Sequence, residues 1–506
     1  MVHSGILSQL RNKVWWVLLL SLAVRGWTLW SGQASLHEDP DAYARLAVNW
    51  SQSGTFGIDA PDGSVQPTAY RPPLYPWLLS WFVAPNAVNG GSLPTLAVAA
   101  LHLLLGLVTI WCTWSIAHDL RLRYPALPTL LVACDPLLLR ASQLVMTETI
   151  AACLSVVAWK LWLAVYANNF SSAAQLDTPQ HCPPQRDLAQ LDVAAVAKTL
   201  GQPACGTKSL GELRCRALGL VALGGVFGLS ILARPTAAPW VALCVVGLAL
   251  FGNGSGGSWP ARLRNALIVS LVAATCLAPW VIRNLGEFGK PIWATTHGGY
   301  TLLLANNPLL YQHFKEHGPS RAWNAEPFHA RWAQRLDPGL SLSPAERAFW
   351  LAPLPPSGQP ARHIAELDED RIAYSAARQT IARQPLMFSL SSLYRIGWLW
   401  AAWPNDASVI ARLAIGMWYL LTYGCAIAGT WHWIKHFGLR KWLQAWWLPL
   451  MLLISLTLLH AVFWSNMRMR APASAVLAVA AGSMLLADRS GTGLRRARLA
   501  WRGPKP

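Results

Sequence analysis

The sequence predicts an all-α protein that crosses a membrane about 10 times. Its 506 residues are 54% hydrophobic and only 13% charged, whereas soluble proteins carry about 25% charged residues. Several windows are apolar for about 20 residues, which is the length that crosses a bilayer core of roughly 30 Å. The 29 Trp residues fit the same class, because indole rings favour membrane interfaces.

The apolar windows follow one another along most of the chain. They lie at about 14–34, 94–118, 125–141, 145–167, 216–234, 237–251, 265–282, 408–432, 443–463 and 470–487. Arg11 and Lys13 precede the first window, and no small-residue cleavage site follows it. This window is therefore predicted to be a signal anchor that stays attached.

Basic residues orient these spans with the N-terminus inside. Lys and Arg collect in every second connection, as at Arg121, Arg262 and Lys435, and in the C-terminal tail. The net charge of +18 is therefore attributed to cytoplasmic loops. We expect no nucleic-acid binding, because no basic patch with interleaved aromatics falls in a soluble domain. The stretch 386–403 would reverse the pattern if it crossed, so it is predicted to lie in the outer interface.

This topology predicts four regions. They are a transmembrane core at 1–310 with a first outer loop (35–93) and an inner insert (168–215), a large outer segment at 283–407, C-terminal transmembrane helices at 408–487, and a basic cytoplasmic tail at 488–506. No cysteine falls in an outer segment, so no disulfide is expected. The polar residues of the inner insert lack the paired spacing of a zinc site, and no metal or other cofactor is indicated.

Three carboxylates cluster just after the first span, in HEDPDAYARLAVNW (37–50): Glu38, Asp39 and Asp41. The residues after Pro40 have helical spacing, with one apolar face formed by Tyr43, Leu46, Ala47 and Trp50. Capping of this helix would use one carboxylate only. A carboxylate beside an apolar wall at a membrane surface is suited to take a proton from an alcohol or amine. We therefore predict a chemical role for the cluster, with capping as the alternative.

A second motif, AYRPPLYPWLLSWF (69–82), contains Arg71 and Tyr75. Its three prolines predict a rigid turn and no regular helix before Trp77. Arg71 is predicted to lie beside the acidic cluster of the same outer loop, which suggests an anionic partner. Proline stiffness alone is the alternative explanation of this motif.

Charged residues at the outer ends of spans form a third group. Glu148 begins a span, and Arg25 in the first span is its candidate partner. The other charged members are Arg234, Arg283, Arg468 and Arg470, and the uncharged Asn284 follows Arg283. The positive-inside bias disfavours arginine at these places, and its planar fork suits phosphate oxygens. An anionic ligand is therefore predicted, although any one arginine could simply reach to the interface.

The motifs follow one another as the acidic first outer loop, RPPLYP, TET, ARPTA, PWVIRN, GGYTLLLANNP and a late RMRAP. In this order the chain resembles bacterial integral-membrane glycosyltransferases of the GT-C architecture. That group is related to the protein mannosyltransferases (family 39) and the lipopolysaccharide-core transferases. The resemblance covers most of 14–310 and returns at 463–475.

The resemblance implies a hexosyl- or pentosyltransferase with a polyprenyl-phosphate-linked sugar donor and a lipid, glycan or protein acceptor. It also implies an active site at the outer face of the plasma (inner) membrane and a metal-independent, inverting reaction. The catalytic base of the family, an Asp four residues before a Tyr, corresponds to Asp39 relative to Tyr43. The family often has Asp-Glu there, whereas here Glu38 precedes Asp39 and Pro40 follows it. Glu38 and Asp41 therefore stay alternatives as the base.

With such a donor, four arginines are predicted to neutralise the departing phosphate: Arg71, Arg283, Arg468 and Arg470. Glu148 would orient the acceptor or the sugar, and Tyr75, Arg234 and Asn284 are further substrate-binding candidates.

A transporter or flippase of a lipid-linked sugar is the first alternative function, although no inverted repeat is found. An O-antigen ligase or polymerase is the second. A transferase requires these side chains to meet at one outward cavity, whereas a transporter requires a path through the bilayer midplane.

Overall fold

The computed structural model describes residues 2–84, 92–166, 210–251, 258–318, 321, 323–337, 339–351, 364–404 and 407–485. The inner insert predicted at 168–215 lies outside these ranges except at its end, where a helix begins. The basic tail predicted at 488–506 lies outside them entirely.

Helices build most of the described chain, which confirms the prediction of an all-α membrane protein. The α-helices are α1 (Val2–Ser31), α2 (Tyr43–Ser53), α3 (Leu74–Ser80), α4 (Thr95–Asp119), α5 (Ala126–Ala133), α6 (Pro136–Ser142), α7 (Glu148–Tyr166), α8 (Leu210–Ala233), α9 (Ala238–Phe251), α10 (Trp259–Phe288), α11 (Gly298–Ala305), α12 (Pro308–His317), α13 (Glu326–Gln334), α14 (Pro344–Trp350), α15 (Glu366–Arg383), α16 (Pro385–Leu399), α17 (Val409–Phe437), α18 (Leu439–Val462) and α19 (Ser474–Gly482). Short 3₁₀ segments are η1 (Gln33–His37), η2 (Pro235–Ala237) and η3 (Met467–Ala473). Within the described ranges the strands are β1 (Gly57–Asp59) and β2 (Val65–Pro67), paired antiparallel.

Six helices of the described ranges are long and apolar enough to cross a membrane. Their apolar segments are Thr95–Asp119, Glu148–Val165, Arg216–Ala233, Trp259–Phe288, Val409–Phe437 and Leu439–Val462. A shorter apolar helix covers Pro235–Leu250. The total of about 10 spans stays a prediction.

Two predicted spans are not continuous helices. The span expected at 125–141 is divided into α5 and α6, because Asp135 leaves the helix and caps α6 by accepting the Leu138 N–H at 2.9 Å. The span expected at 470–487 begins as η3, which contains Pro472, and continues in α19. A proline removes a backbone donor and clashes with the preceding turn, so a continuous helix is broken at such places.

The first outer loop contains the helix predicted after Pro40, which is α2, with Tyr43 and Leu46 buried on its inner face. The prediction that prolines prevent a helix before Trp77 is wrong, since α3 begins at Leu74. Pro76 falls in the first turn of α3, where its missing N–H would have no partner in any case.

The large outer segment folds as helices α11 to α16 around a core of its own, which includes Phe328, Trp350 and Ile372. The helix predicted at 386–403 is present as α16, while its place in the membrane interface stays a prediction. Buried Arg395 of α16 donates to the carbonyl oxygens of Ala305 and Ala461, both at 2.7 Å. A single guanidinium therefore joins α16, α11 and α18.

Candidate active site

A cavity of about 660 Å³ lies where the transmembrane helices end and the outer segments begin. Its wall is formed by the N-terminus of α7, the C-terminal ends of α8 and α18, the first outer loop and the outer segment. These helix ends are on the side that the basic-residue pattern predicts to be outside. The polar side chains on the wall are Asp41, Tyr43, Tyr70, Arg71, Thr147, Glu148, Arg234, Thr236, Thr295, His297, Tyr300, Thr301, His329, Tyr374, His460 and Arg468.

Asp41 and Arg71 form the first charged pair on this wall. Arg71 Nη2 donates to Asp41 Oδ1 at 2.6 Å, and Arg71 Nε donates to the Asp41 carbonyl oxygen at 3.0 Å. The next residue, Ala42, has a φ of 60°, a left-handed conformation that costs a non-glycine residue roughly 1–3 kcal/mol. This turn places Asp41 and Tyr43, on either side of Ala42, on the same cavity wall.

Glu148, the first residue of α7, is the centre of a second charged group. Its side chain is only 3% exposed, and Oε1 lies 3.4 Å from Arg234 Nη1 and 3.2 Å from Arg468 Nε. Each arginine also donates to a thioether sulfur, Arg234 to Met469 at 3.0 Å and Arg468 to Met146 at 2.7 Å. Because thioether sulfur is a weak acceptor, both guanidiniums can still donate to a stronger one.

The wall carries more positive than negative charge. Three guanidiniums, of Arg71, Arg234 and Arg468, face two carboxylates, of Asp41 and Glu148. Arg234 Nη1 and Arg468 Nε lie within ion-pair distance of Glu148 Oε1, but within the described part of the chain they make no hydrogen bond, and neither does the buried Glu148 Oε2. Buried polar atoms of this kind are costly until a partner satisfies them. A monoanion with several acceptor oxygens, such as a phosphodiester, would balance the charge and accept from the arginines.

Neutral aromatic side chains form the part of the wall that comes from the outer segment. The His297 ring packs edge-on against Tyr70, with ring centroids 4.3 Å apart, and stacks on Tyr300 at 5.0 Å. Tyr300 Oη hydrogen-bonds to His329 Nδ1 at 2.6 Å. Burial, together with the nearby Arg71 guanidinium, lowers the pKa of His297 to about 3, and burial raises the pKa of Tyr300 to about 12. Both rings are therefore uncharged near neutral pH and offer stacking surfaces and neutral hydrogen bonds.

Two glycines allow this aromatic wall to lie against α15. A Cβ atom at Gly298 would come within 2.2 Å of Tyr374 Oη, and one at Gly299 within 2.2 Å of the Asp370 carbonyl oxygen. The Gly299 N–H also donates to Asp370 Oδ1 at 2.6 Å. The glycines of the GGYTLLLANNP motif thus bring α11 and α15 together, with Tyr300 and Tyr374 on the cavity.

The other two carboxylates of the acidic cluster do not line the cavity. Glu38 is exposed. Asp39 is half-buried, and its Oδ2 accepts the N–H of Arg45 in the first turn of α2 at 2.9 Å. Its Oδ1 is buried and has no hydrogen-bond partner among the described residues. Asp39 therefore contacts the first turn of α2, although the N-cap residue of this helix is Ala42, and Asp41 is the member that reaches the cavity.

The four arginines that were predicted to neutralise one phosphate do not all lie on the same cavity. Arg71 and Arg468 lie on the cavity, but Arg283 instead donates to the carbonyl oxygens of Thr68 at 2.8 Å and Phe56 at 2.7 Å. These contacts hold the first outer loop against α10.

Arg470 is 1% exposed and does not line this cavity. It donates to the Leu399 carbonyl oxygen at 2.8 Å and lies 4.5 Å from the centroid of the Tyr419 ring. Its contacts are those of a packing residue.

Tyr75 and Asn284 are also buried away from the wall. Tyr75 Oη hydrogen-bonds to His102 Nε2 at 2.7 Å, and Asn284 Nδ2 donates to the Ile292 carbonyl oxygen at 2.9 Å. Both side chains therefore connect parts of the fold that surround the site.

The prediction that Arg25 pairs with Glu148 is wrong. Arg25 Nη2 donates to the Val132 carbonyl oxygen at 3.1 Å, while Arg234 and Arg468 are the cations beside Glu148. The guanidinium of Arg25 therefore lies near the break between α5 and α6. Hydropathy alone does not predict this break, so it could not predict the contact.

Histidines of the cavity wall were not among the predicted site residues. His460 lies in the last turn of α18, and His297 and His329 come from the outer segment. A histidine in an apolar helix is a usable signal, because ionisable groups at that depth normally face a cavity or a partner. Among the described residues, no group of three or more His, Cys, Asp or Glu side chains is arranged to hold a metal ion.

No protein-family model and no curated protein sequence matches this chain. Solved structures are similar to it at low identity. The archaeal oligosaccharyltransferase AglB from Archaeoglobus fulgidus, in complex with an inhibitory peptide and a dolichol-phosphate, matches 94% of this chain and 50% of its own at 16% identity, with a TM-score of 0.49. ArnT from Cupriavidus metallidurans, bound to undecaprenyl phosphate, matches 94% of this chain and 77% of its own at 13% identity, with a TM-score of 0.34. The chain thus spans about half the length of the oligosaccharyltransferase that it matches.

Proposed function

We propose that this chain is a membrane glycosyltransferase that moves a sugar from a polyprenyl-phosphate-linked donor to an acceptor of the cell envelope. The observation that carries the proposal is the cavity, where cations, carboxylates and neutral aromatic groups from distant parts of the chain come together. Such a transfer requires a phosphate to be neutralised and an acceptor hydroxyl to lose its proton. The order of the sequence motifs, which resembles that of GT-C glycosyltransferases, supports the same reaction.

Arg234 and Arg468 are the proposed clamp for the donor phosphate. Glu148 contacts both guanidiniums through one oxygen and so fixes their orientation. Arginine in a fixed orientation binds phosphate oxygens through two parallel hydrogen bonds. Arg71, on the same wall, adds positive charge near Asp41.

In the proposed reaction the acceptor hydroxyl oxygen attacks the anomeric carbon of the donor sugar. The bond from that carbon to the phosphate oxygen breaks, and polyprenyl phosphate leaves with the electron pair. The clamp stabilises the charge that develops on the leaving phosphate. Attack from the face opposite the phosphate inverts the anomeric carbon, and the acceptor proton passes to a carboxylate base.

Asp41 is the proposed base, in place of Asp39. A base must lie within hydrogen-bond reach of the proton that it takes, and Asp41 lines the cavity whereas Asp39 does not. Arg71 orients Asp41 through Oδ1, so Oδ2 is the oxygen for the acceptor hydroxyl. General-base catalysis of this kind contributes typically about 10²–10⁴-fold to a rate.

The position of the charged residues favours transfer over transport. A transporter of a lipid-linked sugar would need polar groups along a path through the bilayer midplane. The charged side chains on this cavity instead lie at the ends of α7 and α8, in η3 or in the first outer loop.

The test uses purified protein in nanodiscs with undecaprenyl phosphates that carry a hexose, a pentose or an amino sugar. Envelope extract supplies the acceptor, and mass spectrometry follows the products. We expect release of undecaprenyl phosphate and a gain of one sugar on an acceptor, both lost in Asp41→Asn. Mass spectrometry of envelope glycans from cells with and without the protein then identifies the acceptor. No sugar release from any donor, with acceptor present, would contradict the proposal.

A further inference from the structure

We infer that His460 recognises a hydroxyl group of the donor sugar through its Nε2 atom, an inference that rests on the proposed function. His460 is 4% exposed and lines the same cavity as Arg234 and Arg468, the proposed phosphate clamp. Arg234 is close enough to interact with it electrostatically. Because the donor sugar is joined to the phosphate, a residue on this part of the wall is placed to contact its hydroxyl groups.

The hydrogen bond of His460 to the backbone fixes the tautomer of its ring. Nδ1 lies 2.7 Å from the carbonyl oxygen of Trp464. A carbonyl oxygen can only accept, so Nδ1 carries the proton, and Nε2 of the neutral ring is an acceptor. Within the described part of the chain no residue hydrogen-bonds to Nε2. Nε2 is therefore the acceptor that His460 offers to the cavity.

The carbonyl group that holds His460 is itself held in place. The Trp464 N–H donates to the Thr301 carbonyl oxygen at 3.3 Å. The Trp464 ring packs against Trp323 and Trp398, with ring centroids 5.5 and 6.0 Å apart. A recognition group whose supporting shell is ordered before the ligand arrives binds with little loss of side-chain freedom.

His102 is a buried histidine of this protein whose two ring nitrogens both have hydrogen-bond partners within the fold, and it can be compared with His460. Its Nδ1 donates to the Ser142 carbonyl oxygen at 2.7 Å, as His460 does to Trp464. Its Nε2, however, accepts from Tyr75 Oη at 2.7 Å, so both nitrogens are used within the fold. The two rings share a tautomer and differ in the partner of Nε2. That difference points to a ligand at His460.

A neutral acceptor has a physical advantage at this place. The arginines of the wall can only donate hydrogen bonds, so a sugar hydroxyl that donates needs another partner. A further carboxylate beside the negatively charged phosphate would oppose donor binding, whereas a neutral imidazole does not. His460 would thereby favour a sugar-bearing lipid over bare polyprenyl phosphate, because a site built to pair with a hydroxyl loses that bond without it.

Two substitutions separate the two nitrogen atoms. His460→Asn keeps a donor near the position of Nδ1 and removes Nε2. His460→Gln puts an amide oxygen near the position of Nε2 and loses the Nδ1 donor. Each variant in nanodiscs is titrated with undecaprenyl phosphate and with the undecaprenyl phosphate sugar that the wild type binds most tightly. Thermal unfolding is measured in parallel, and His102→Asn is the matched control.

We expect His460→Asn to weaken binding of the sugar-bearing lipid by about fivefold to tenfold, the value of one hydrogen bond, with unchanged affinity for undecaprenyl phosphate. His460→Gln should bind the sugar-bearing lipid more tightly than His460→Asn does, even if it melts at a lower temperature. His102→Asn should lower the melting temperature and leave the preference for the sugar-bearing lipid intact.

Equal losses for both lipids, or lipid affinities that simply follow the melting temperatures, would give His460 a structural role and overturn the inference. Unchanged binding of both lipids by His460→Asn would overturn it as well, while the proposed function stood. Wild-type protein that bound neither lipid would overturn the proposed function itself, and this inference with it.

Discussion

Arg468 Nε and Glu148 Oε1 lie 3.2 Å apart, although one residue belongs to η3 and the other begins α7. Arg234 approaches the same carboxylate oxygen at 3.4 Å. Two cations on one nearly buried carboxylate leave one positive charge without a second acidic partner among the residues that the structure describes. The cluster is therefore a place where an anion is expected to bind.

Substitution of the clamp arginines should weaken donor binding. Arg468→Lys and Arg234→Lys are each expected to reduce the affinity for undecaprenyl phosphate by about tenfold to a hundredfold, because lysine keeps the charge but loses the planar fork. Arg283→Lys is the control, since its guanidinium contacts the Thr68 and Phe56 carbonyl oxygens. It should lower thermal stability and leave this affinity alone. Unchanged affinity in both clamp variants would remove the clamp from the mechanism.

The two neighbouring aspartates should respond differently to conversion to asparagine. Asp41→Asn is expected to lower sugar transfer by at least about 10²-fold, because the amide cannot take the acceptor proton. Donor affinity should persist, since the clamp is intact. Asp39→Asn should keep most of the turnover, because the amide oxygen of asparagine can still accept the Arg45 N–H in the first turn of α2. The reverse ranking in a turnover assay would make Asp39 the base and Asp41 a positioning residue.

Acid should destabilise the protein in part through His297. Burial and the Arg71 guanidinium lower its pKa to about 3, from an ordinary 6.5. Between these values the unfolded chain binds a proton that the folded chain does not, so the stability contributed by the neutral ring is complete above pH 6.5 and is lost as the pH falls.

His297→Phe keeps the stacking surface against Tyr300 and cannot take a proton. Its melting temperature should therefore fall less than that of the wild type between pH 6.5 and about 5, where few carboxylates titrate. Parallel curves for the two proteins would show that His297 is not the group responsible.

The topology can be tested with cysteines in a cysteine-free background. Ala330 is exposed on α13 of the large outer segment, and Ala330→Cys should react with a membrane-impermeant thiol reagent in intact spheroplasts. Gln190→Cys, in the predicted inner insert, should react only after the membrane is permeabilised. Labelling of position 190 in intact spheroplasts would put the cavity on the cytoplasmic side.

The helices could be predicted because length and periodicity are local properties of a sequence. The windows at 94–118 and 145–167 differ from α4 and α7 by a few residues at most. The breaks in the spans at Asp135 and in η3 are harder to predict from the sequence, since averaging hydropathy over a window hides a single capping residue or proline.

The pairing of charges depends on side-chain direction, which hydropathy does not encode. Arg468 and Arg470 are near neighbours in η3, yet the first lies on the cavity and the second is buried against Tyr419. The choice between Asp39 and Asp41 follows from the left-handed turn at Ala42, and an alanine gives no sign of a positive φ.

The order of the cavity residues along the chain also determines when the candidate active site is complete during synthesis of the protein. A nascent chain that extends through α8 and η2 already contains Asp41, Arg71, Glu148 and Arg234. It still lacks His460 and Arg468, which enter the membrane with α18 and η3. Until those last elements arrive, Glu148 has one cation beside it, and the proposed phosphate clamp lacks one of its two arginines. We therefore expect that a partly synthesised chain, which lacks α18 and η3, does not bind polyprenyl phosphate.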